Sequence, residues 1–301
     1  MRPIALLACL LLAWLAPLHA ATLARVEPAN WWVGMRHSEV ELMLHGRDIA
    51  ALQARTTHPG VRVLGTAALD SPNYLFVTVA IDEDAAPGEL AIELLDGDAV
   101  VARHPWRIDA REPAPPRGFK TRDAIYLITP DRFANGDPSN DTVAGMREGA
   151  NRADPDGRHG GDLAGIRAHL DYIASLGFTR IWPTPVLEND QASTSYHGYA
   201  ITDLYRVDPR MGSNEDFRAL AREAREHGIG IIMDVVLNHI GSEHWWMRDL
   251  PSRDWINHGG RFVPTNHRRT TIQDPYAAPG DRAGFTDGWF VEAMPDLNQR
   301  N

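Results

Sequence analysis

Cysteine is almost missing from this sequence, since Cys9 is the single one among 301 residues. One cysteine cannot close a disulfide within the chain, so we expect no cross-link to stabilise the fold. Basic runs are missing as well, and 30 Lys and Arg against 40 Asp and Glu give a formal net charge of -10. An acidic chain without a basic patch binds phosphate groups poorly. We therefore expect no nucleic acid partner.

Charged side chains are also missing between Arg2 and Arg25, and residues 4–15 are almost wholly apolar. This apolar run is shorter than the roughly 20 residues that a membrane span needs. A charged start, an apolar core and small residues at its end are typical of a cleaved secretory signal. We predict a signal peptide over residues 1–20, no stable membrane span after its cleavage, and a secreted or periplasmic protein.

The lone cysteine falls inside this predicted signal peptide. Cleavage after Ala20 removes it, so the mature chain has neither a thiol nor a disulfide. A lipid anchor on Cys9 is the alternative. Leu7 is bulky for a lipobox and the apolar run continues past the cysteine, so the sequence favours the cleaved signal.

Apolar residues that alternate with polar ones predict strands between residues 22 and 110. One strand is predicted over 74–81, and the Asp96–Gly97 pair between two apolar runs predicts a hairpin. Short strands separated by Gly, Pro and Asp clusters indicate a small β-sandwich of the immunoglobulin-like kind. We expect Trp31 and Trp32 in its core.

A proline-rich segment at 111–120 predicts a stiff linker, and beyond it the spacing of apolar residues changes. Short apolar runs alternate there with helical stripes, and the second stripe begins with a capping-box arrangement of Ser213 and Asp216. This βαβαβ order is typical of a doubly wound sheet or of a (β/α)8 barrel. The predicted strands are residues 125–129, 179–182 and 229–237, and the first predicted helix carries Leu163, Ile166, Leu170 and Ile173.

The position of the polar clusters favours the barrel. No glycine-rich phosphate loop follows the first strand, whereas a polar cluster follows the C-terminal end of each predicted strand. A barrel places its functional site on that face, and it takes eight strands and about 250 residues. Residues 121–301 therefore predict the first part of a (β/α)8 TIM barrel, and we expect the 301-residue chain to be truncated.

The first polar cluster has a composition that suits calcium. Four side chains with oxygen atoms fall within seven residues, namely Asn135, Asp137, Asn140 and Asp141. Hard oxygen donors on a tight loop are the ligands that Ca2+ prefers. A surface turn is the alternative, because Asn-Gly and Asp-Pro are also common turn dipeptides.

Two further clusters indicate a site for a polar ligand. Two aromatic residues and a histidine at 196–199 suit a sugar ring, with its apolar faces and hydroxyl edges, although a packed loop is the alternative. Asp234 lies in an apolar strand, where a carboxylate is costly without donors or a charged partner. Asn238 and His239 follow at the end of that strand. Three polar residues at one strand end favour a functional site over a core position.

Taken together, these segments resemble the α-amylase superfamily of glycoside hydrolases, and most closely its cyclomaltodextrinase and neopullulanase branch. The resemblance spans about residues 26–301. It is carried by 234–239 (DVVLNH), 196–199 (YHGY) and 294–298 (MPDLN), and by the branch-specific stretches 26–35 (VEPANWWVGM), 133–141 (FANGDPSND) and 243–250 (EHWWMRDL).

This resemblance implies an N-terminal β-sandwich followed by a TIM barrel, with a B domain inserted after strand three from about residue 240. It also implies that Asp234 is a buried supporting residue that pairs with an Arg on strand four. Asp296 departs from the Lys that many relatives in the branch carry. The implied substrate-binding residues are His197, Tyr199, Asn238 and His239, and the implied ligands of a Ca2+ site are Asn135, Asp137, Asn140, Asp141, Gly160 and Asp162.

The resemblance further implies retaining hydrolysis of α-glucosidic bonds in maltooligosaccharides, cyclomaltodextrins, pullulan or starch. In that reaction one carboxylate attacks the anomeric carbon and a carboxylic acid protonates the leaving oxygen. In the family these groups and a third carboxylate follow strands four, five and seven, so we expect none of them here and expect the chain alone to be inactive. A noncatalytic α-glucan-binding protein and a transglycosidase of the same fold are the alternatives. A homodimer of the full-length protein stays open.

Overall fold

The computed structural model describes residues 22–111 and 118–300. It divides the chain into two compact units, with the boundary between Glu112 and Pro113. The predicted signal peptide and most of the predicted linker lie outside the described residues, so both stay predictions.

The first unit is built from eight described strands in two four-stranded sheets. The strand order is β1-β3-β6-β5 in one sheet and β2-β8-β7-β4 in the other. The strands are β1 (Leu23–Glu27), β2 (Asn30–Trp32), β3 (Glu39–Gly46), β4 (Gln53–Arg55), β5 (Val61–Ala67), β6 (Tyr74–Ile81), β7 (Gly88–Asp96) and β8 (Ala99–Asp109).

Alternate residues of the central strands form one hydrophobic core that both sheets share. Leu42 and Val77 come from one sheet, and Ile92 and Trp106 from the other. The buried indole of Trp106 donates to the carbonyl oxygen of Pro28 over 2.8 Å, so its polar atom is satisfied. The predicted strand at 74–81 is confirmed, and so is the hairpin, because β7 and β8 pair antiparallel. The immunoglobulin-like kind of topology stays a prediction.

The prediction that both tryptophans lie in this core is wrong for Trp32. Trp31 packs against the core, whereas Trp32 is 40% exposed. Both residues lie in β2, and successive side chains of a strand point to opposite faces. Only one of two consecutive tryptophans can therefore face the core.

The second unit contains a parallel sheet in the order β13-β10-β9 and an antiparallel pair, β11 and β12. Its strands are β9 (Ile125–Ile128), β10 (Arg180–Pro183), β11 (Leu187–Glu188), β12 (Asp203–Val207) and β13 (Gly230–Ile231). Its helices are α1 (Pro130–Phe133), α2 (Leu163–Ala168), α3 (Leu170–Ser175), α4 (Asn214–Glu226), α5 (Thr270–Gln273) and α6 (Pro279–Thr286). Short 3-10 turns occur at Pro138–Asn140, Ser195–His197, Trp245–Arg248 and Asn257–Gly260.

The first predicted helix of this unit is two helices, α2 and α3, which meet at His169. His169 has φ of -115° and ψ of 16°, outside the helical range, and its Nδ1 lies 2.7 Å from the carbonyl oxygen of Gly165. The predicted apolar stripe is nevertheless buried, because the break leaves its spacing intact. The capping box of Ser213 and Asp216 at the start of α4 is confirmed. None of the described helices has the length and apolar character needed to cross a membrane.

The third predicted strand, 229–237, is much shorter in the structure and is not buried on both faces. Only Gly230–Ile231 is paired as a strand, on β10, and Leu237 is 75% exposed. Among the described residues no strand pairs with the other edge of β13. Met233, Val235 and Leu237, which alternate along the segment, are exposed. The segment has the apolar composition of a strand at the centre of a sheet, but in the described residues it has a neighbouring strand on one side only.

Candidate functional site

Asp234 is the centre of a group of polar side chains beyond the carboxyl ends of β10 and β13. Its Oδ2 accepts a hydrogen bond from the Tyr199 hydroxyl and another from Trp182 Nε1, each over 3.0 Å. The carboxylate is half-buried. In the part of the chain that the structure describes, Asp234 therefore has two neutral donors in place of the implied arginine. They reduce the cost of keeping a carboxylate beside an apolar strand.

The loop with Tyr199 is held in one shape by its glycine and by two histidines. Gly198 has φ of +85°, and a Cβ there would lie 1.9 Å from the carbonyl oxygen of Pro185. The amide of Tyr199 donates to His197 Nδ1 over 2.9 Å, and the two rings stack with centroids 5.9 Å apart. His239 Nε2 lies 3.1 Å from the carbonyl oxygen of Tyr199. Three of the predicted sugar contacts, His197, Tyr199 and His239, are thus brought together.

Both histidines are neutral over a wider pH range than an exposed histidine. Burial lowers the pKa of His197, with a smaller opposing effect from Glu148. Burial also lowers the pKa of His239, against the bond to Tyr199. Because His197 Nδ1 accepts an amide proton, the ring proton of the neutral form is on Nε2, where it can be donated to a hydroxyl group.

Asn238 is hydrogen-bonded to Asp296. Its Nδ2 donates to Asp296 Oδ1 over 2.7 Å, and Asn257 Nδ2 donates to Asp296 Oδ2 over 2.7 Å. Burial raises the pKa of Asp296, and the two asparagine donors oppose that change. Through Asp296, these two bonds join Asn238 to the segment at 257, and the predicted sugar contact of Asn238 stays a prediction. The residues border a cavity of about 420 Å³ that Phe290 and Arg300 also line.

Two buried oxygen atoms in the loop predicted to hold calcium, Asn135 Oδ1 and Asn140 Oδ1, have no hydrogen-bond donor within the described ranges 22–111 and 118–300. Asn135 Nδ2 donates to Asp141 Oδ1 over 2.6 Å. A Cβ at Gly160 would lie 2.4 Å from Asp141 Oδ1, so the glycine backbone passes directly beside these side chains. The amide and carboxylate oxygens of the loop and the Gly160 turn are therefore close together.

Asp162 connects the two parts of this loop. Its carboxylate accepts from the backbone amides of Gly136, Asp137 and Gly165, and from Asn140 Nδ2 over 3.3 Å. It is also the N-cap of α2. The Asp137 carboxylate binds Ser139 instead, and hydrogen bonds from that hydroxyl and amide lower its pKa.

This donor set fits a calcium ion. Two unpartnered amide oxygens beside a carboxylate and a glycine backbone are hard oxygen ligands on a tight loop. In the described residues, no group of three or more His, Cys, Asp and Glu side chains is arranged to hold a metal. The fit therefore depends on the amide oxygens of Asn135 and Asn140 beside the Asp141 carboxylate, while the backbone N–H of Asp137 donates to Asp162.

Sequence reasoning missed Trp182, Asn257 and Arg158. Trp182 ends a predicted apolar strand, and only the pairing of β10 with its neighbour brings its indole to Asp234. Asn257 lies 39 residues from Asp296, in a segment without a periodic pattern. Arg158 is fully buried between distant elements. No local signal marks any of the three.

Two protein families match this chain in consecutive segments. Residues 25–112 match the N-terminal domain of cyclomaltodextrinase, and residues 127–301 match the alpha amylase catalytic domain. The second match covers more than half of the chain.

Three curated relatives illustrate the match. Neopullulanase 2 of Thermoactinomyces vulgaris is 44% identical over 189 residues, which are 59% of this chain and 29% of that protein. Cyclomaltodextrinase of Geobacillus thermopakistaniensis is 38% identical over 175 residues, which are 58% of this chain and 28% of that protein. Periplasmic alpha-amylase of Escherichia coli is 38% identical over 128 residues, which are 39% of this chain and 19% of that protein.

The chain therefore matches less than a third of the length of each of these relatives. The names of the first two agree with the family of the N-terminal segment. On the two domain matches together, the chain belongs to the alpha-amylase family of glycoside hydrolases, in the branch with a cyclomaltodextrinase N-terminal domain.

Proposed function

We propose that this chain supplies one wall of the substrate cleft of a retaining α-glucan hydrolase. The substrates are maltooligosaccharides, cyclomaltodextrins, pullulan or starch. The main support is that Tyr199 is bound at two points near the carboxyl ends of parallel strands. Its hydroxyl donates to Asp234, and its carbonyl oxygen lies within hydrogen-bond distance of His239 Nε2. The family membership and the neopullulanase and cyclomaltodextrinase relatives support this substrate class.

The chemistry of the group suits a sugar. Tyr199 is fixed by its hydroxyl, so its ring can stack on the apolar face of a glucose unit. The neutral imidazole of His197 presents an Nε2 proton to a hydroxyl group. Asp234 orients Tyr199 and Trp182 and has a supporting role, as the resemblance implies.

We assign no catalytic carboxylate to this chain. Retaining hydrolysis needs a nucleophile and an acid whose carboxyl groups are about 5–5.5 Å apart. The family resemblance implies that both follow strands four and five of the barrel. The described part of the second unit has three parallel strands, β9, β10 and β13. We propose that the 301-residue chain binds glucan but does not cleave it alone.

We also propose that Asn135, Asn140, Asp141, Gly160 and Asp162 hold a calcium ion, with Asp137 beside them. The support is the pair of buried amide oxygens without a donor. When bound, calcium would supply a charged cross-link between the loop and the Gly160 turn. The chain's own part is the Asp162 carboxylate, which holds the loop to the start of α2.

Export of the protein is a further proposal. Its support is the apolar leader in the sequence and the periplasmic alpha-amylase among the relatives. A homodimer of the full-length protein likewise stays a proposal.

Calorimetric titration of the chain with maltoheptaose tests the main proposal. We expect binding that Tyr199→Ala weakens by about tenfold or more, which is about 1.4 kcal/mol. Tyr276→Ala is the matched control, because Tyr276 is 93% exposed in the same unit. Absence of binding by the unchanged chain would contradict the glucan proposal. Release of reducing sugar above a vector control would contradict the proposed inactivity, and product analysis would then separate hydrolysis from transglycosylation.

A further inference from the structure

Ser195 is the fixed point from which the aromatic loop at 196–199 starts. It is fully buried, and three of its atoms are bound by three different segments. Its amide donates to Glu148 Oε2 over 2.7 Å, and its carbonyl oxygen accepts from Asn189 Nδ2 over 3.1 Å. Its hydroxyl oxygen accepts from Arg158 Nη1 over 3.2 Å. The position of the loop therefore depends in part on Arg158.

Arg158 is fully buried and lies between two buried carboxylates. Its Nε is 3.9 Å from Asp131 Oδ1, and its Nη1 is 3.9 Å from Asp208 Oδ2. Asp208 is already bound by Arg210 through two hydrogen bonds, of 2.9 and 2.7 Å. Nε and Nη2 of Arg158 have no hydrogen-bond partner among the described residues. A buried guanidinium with ion-pair distances this long contributes little net stability, because desolvation offsets the attraction.

Asp131 connects Arg158 to the loop proposed to hold calcium. Its Oδ1 accepts hydrogen bonds from the backbone amides of His159 and Gly160, over 3.0 and 3.1 Å. These two residues directly follow Arg158 in the chain and form the turn that passes beside Asp141. A shift of this turn therefore moves both the backbone of Arg158 and the carboxylate that faces it.

A second connection between the two loops runs along the surface. The guanidinium of Arg132 lies over the ring of Tyr196, with Cζ 3.8 Å from the ring centroid. Arg132 Nη1 also donates to Asp131 Oδ2 over 2.5 Å. Asp131 is thus in contact with both arginines that reach the aromatic loop.

We propose that Arg158 is a positioning residue that couples occupancy of the calcium loop to the order of the 196–199 loop. A bound calcium ion would hold the Gly160 turn in one position. That turn sets the positions of Asp131 and of Arg158, and Arg158 in turn holds the Ser195 hydroxyl. The inference rests on the calcium site and the glucan site proposed above. By linkage, glucan binding and calcium binding then strengthen each other by the same factor.

Hydrogen exchange of the full chain with and without calcium tests this coupling. Calcium in place of EGTA should slow exchange of the Ser195 and Tyr199 amides by about fivefold or more. Both amides have acceptors in the structure, Glu148 Oε2 and His197 Nδ1. Calorimetry on the same sample measures calcium binding itself. This pair of measurements separates failure of the metal site from failure of the coupling.

Two variants locate the coupling at Arg158. Arg158→Met should abolish the calcium effect on exchange at 195–199 while calcium still binds. Because loss of a buried charge can unfold the unit, Ser195→Ala is the milder variant. It removes only the hydroxyl and keeps the backbone bonds to Glu148 and Asn189. Arg218→Met is the matched control, since Arg218 lies on the exposed face of α4.

Three results would overturn the proposal. The first is calcium binding that leaves exchange at 195–199 unchanged in the unaltered chain, which would leave the metal site intact. The second is a calcium effect that persists in both Arg158→Met and Ser195→Ala. The third is no calcium binding at all, which would remove the metal site and the coupling together. By linkage, the factor by which calcium raises the affinity for maltoheptaose should equal the factor by which maltoheptaose raises the affinity for calcium.

Discussion

Both units have an apolar core, but they differ in the charged side chains that they bury. In the first unit the large fully buried side chains are apolar or aromatic, such as Leu42 and Trp106. In the second unit two of the large fully buried side chains are arginines, Arg158 and Arg210. Apolar burial stabilises a fold roughly in proportion to the area removed from water and is not directional. A buried ion pair contributes little net stability, yet removal of one partner is costly because it leaves the other charge buried and unpaired. The interior of the second unit therefore depends more on charged side chains than the interior of the first.

Core truncation in the first unit should have the largest effect. Leu42→Ala should lower the free energy of unfolding of that unit by about 3–5 kcal/mol, because it removes a fully buried side chain and leaves a cavity. Leu237→Ala in the second unit should cost less than about 0.5 kcal/mol, because Leu237 is 75% exposed. Urea unfolding of the two variants measures both. Equal losses would contradict the contrast between the closed core and the open sheet.

Removal of a buried arginine tests the other half of the contrast. Arg210→Met should destabilise the second unit by about 3–4 kcal/mol, because it leaves the buried Asp208 carboxylate without its two-point partner. The pKa of Asp208 is below its usual range because Arg210 and Arg158 outweigh the effect of burial. Thermal unfolding measures the loss, with Arg218→Met as the exposed control. If Arg210→Met left the stability of the second unit unchanged, apolar packing would account for this interior as well.

Much of this organisation was readable from local sequence, and much of the interior was not. The 74–81 strand, the hairpin and the Ser213 capping box depend on residues within a few positions of each other. Arg158 and Ser195 are 37 residues apart, and neither has a neighbour that marks the contact. Only the family resemblance marks Gly160 and Asp162 as metal ligands, because they are about 25 residues from the 135–141 loop and only folding brings them to it.

Calcium removal should act on one unit only. EGTA should lower the melting temperature of the second unit and leave that of the first unchanged, because every proposed ligand lies beyond residue 113. At a free calcium concentration of about 100 times the Kd, binding adds about 2.7 kcal/mol to the free energy of unfolding. Differential scanning calorimetry with and without EGTA measures the shift, and Asn140→Ala should abolish it. A shift of both transitions, or of neither, would contradict the assignment.

Titration of the histidines should have the smallest effect, and its sign follows from burial. Burial lowers the pKa of His197 and His239, so between the lowered pKa and about 6.5 the unfolded chain binds more protons than the folded one. Stability of the second unit should therefore rise with pH through that window and fall as the solution is acidified below pH of about 6.5. Maltoheptaose binding should weaken only at lower pH, as the solution is acidified through the lowered pKa of His197, because a protonated Nδ1 can no longer accept a hydrogen bond from the Tyr199 amide. The variants His197→Gln and His239→Gln should flatten both curves. His104→Gln is the control, since burial also lowers the pKa of His104 in the first unit, where the substitution should leave glucan binding unchanged.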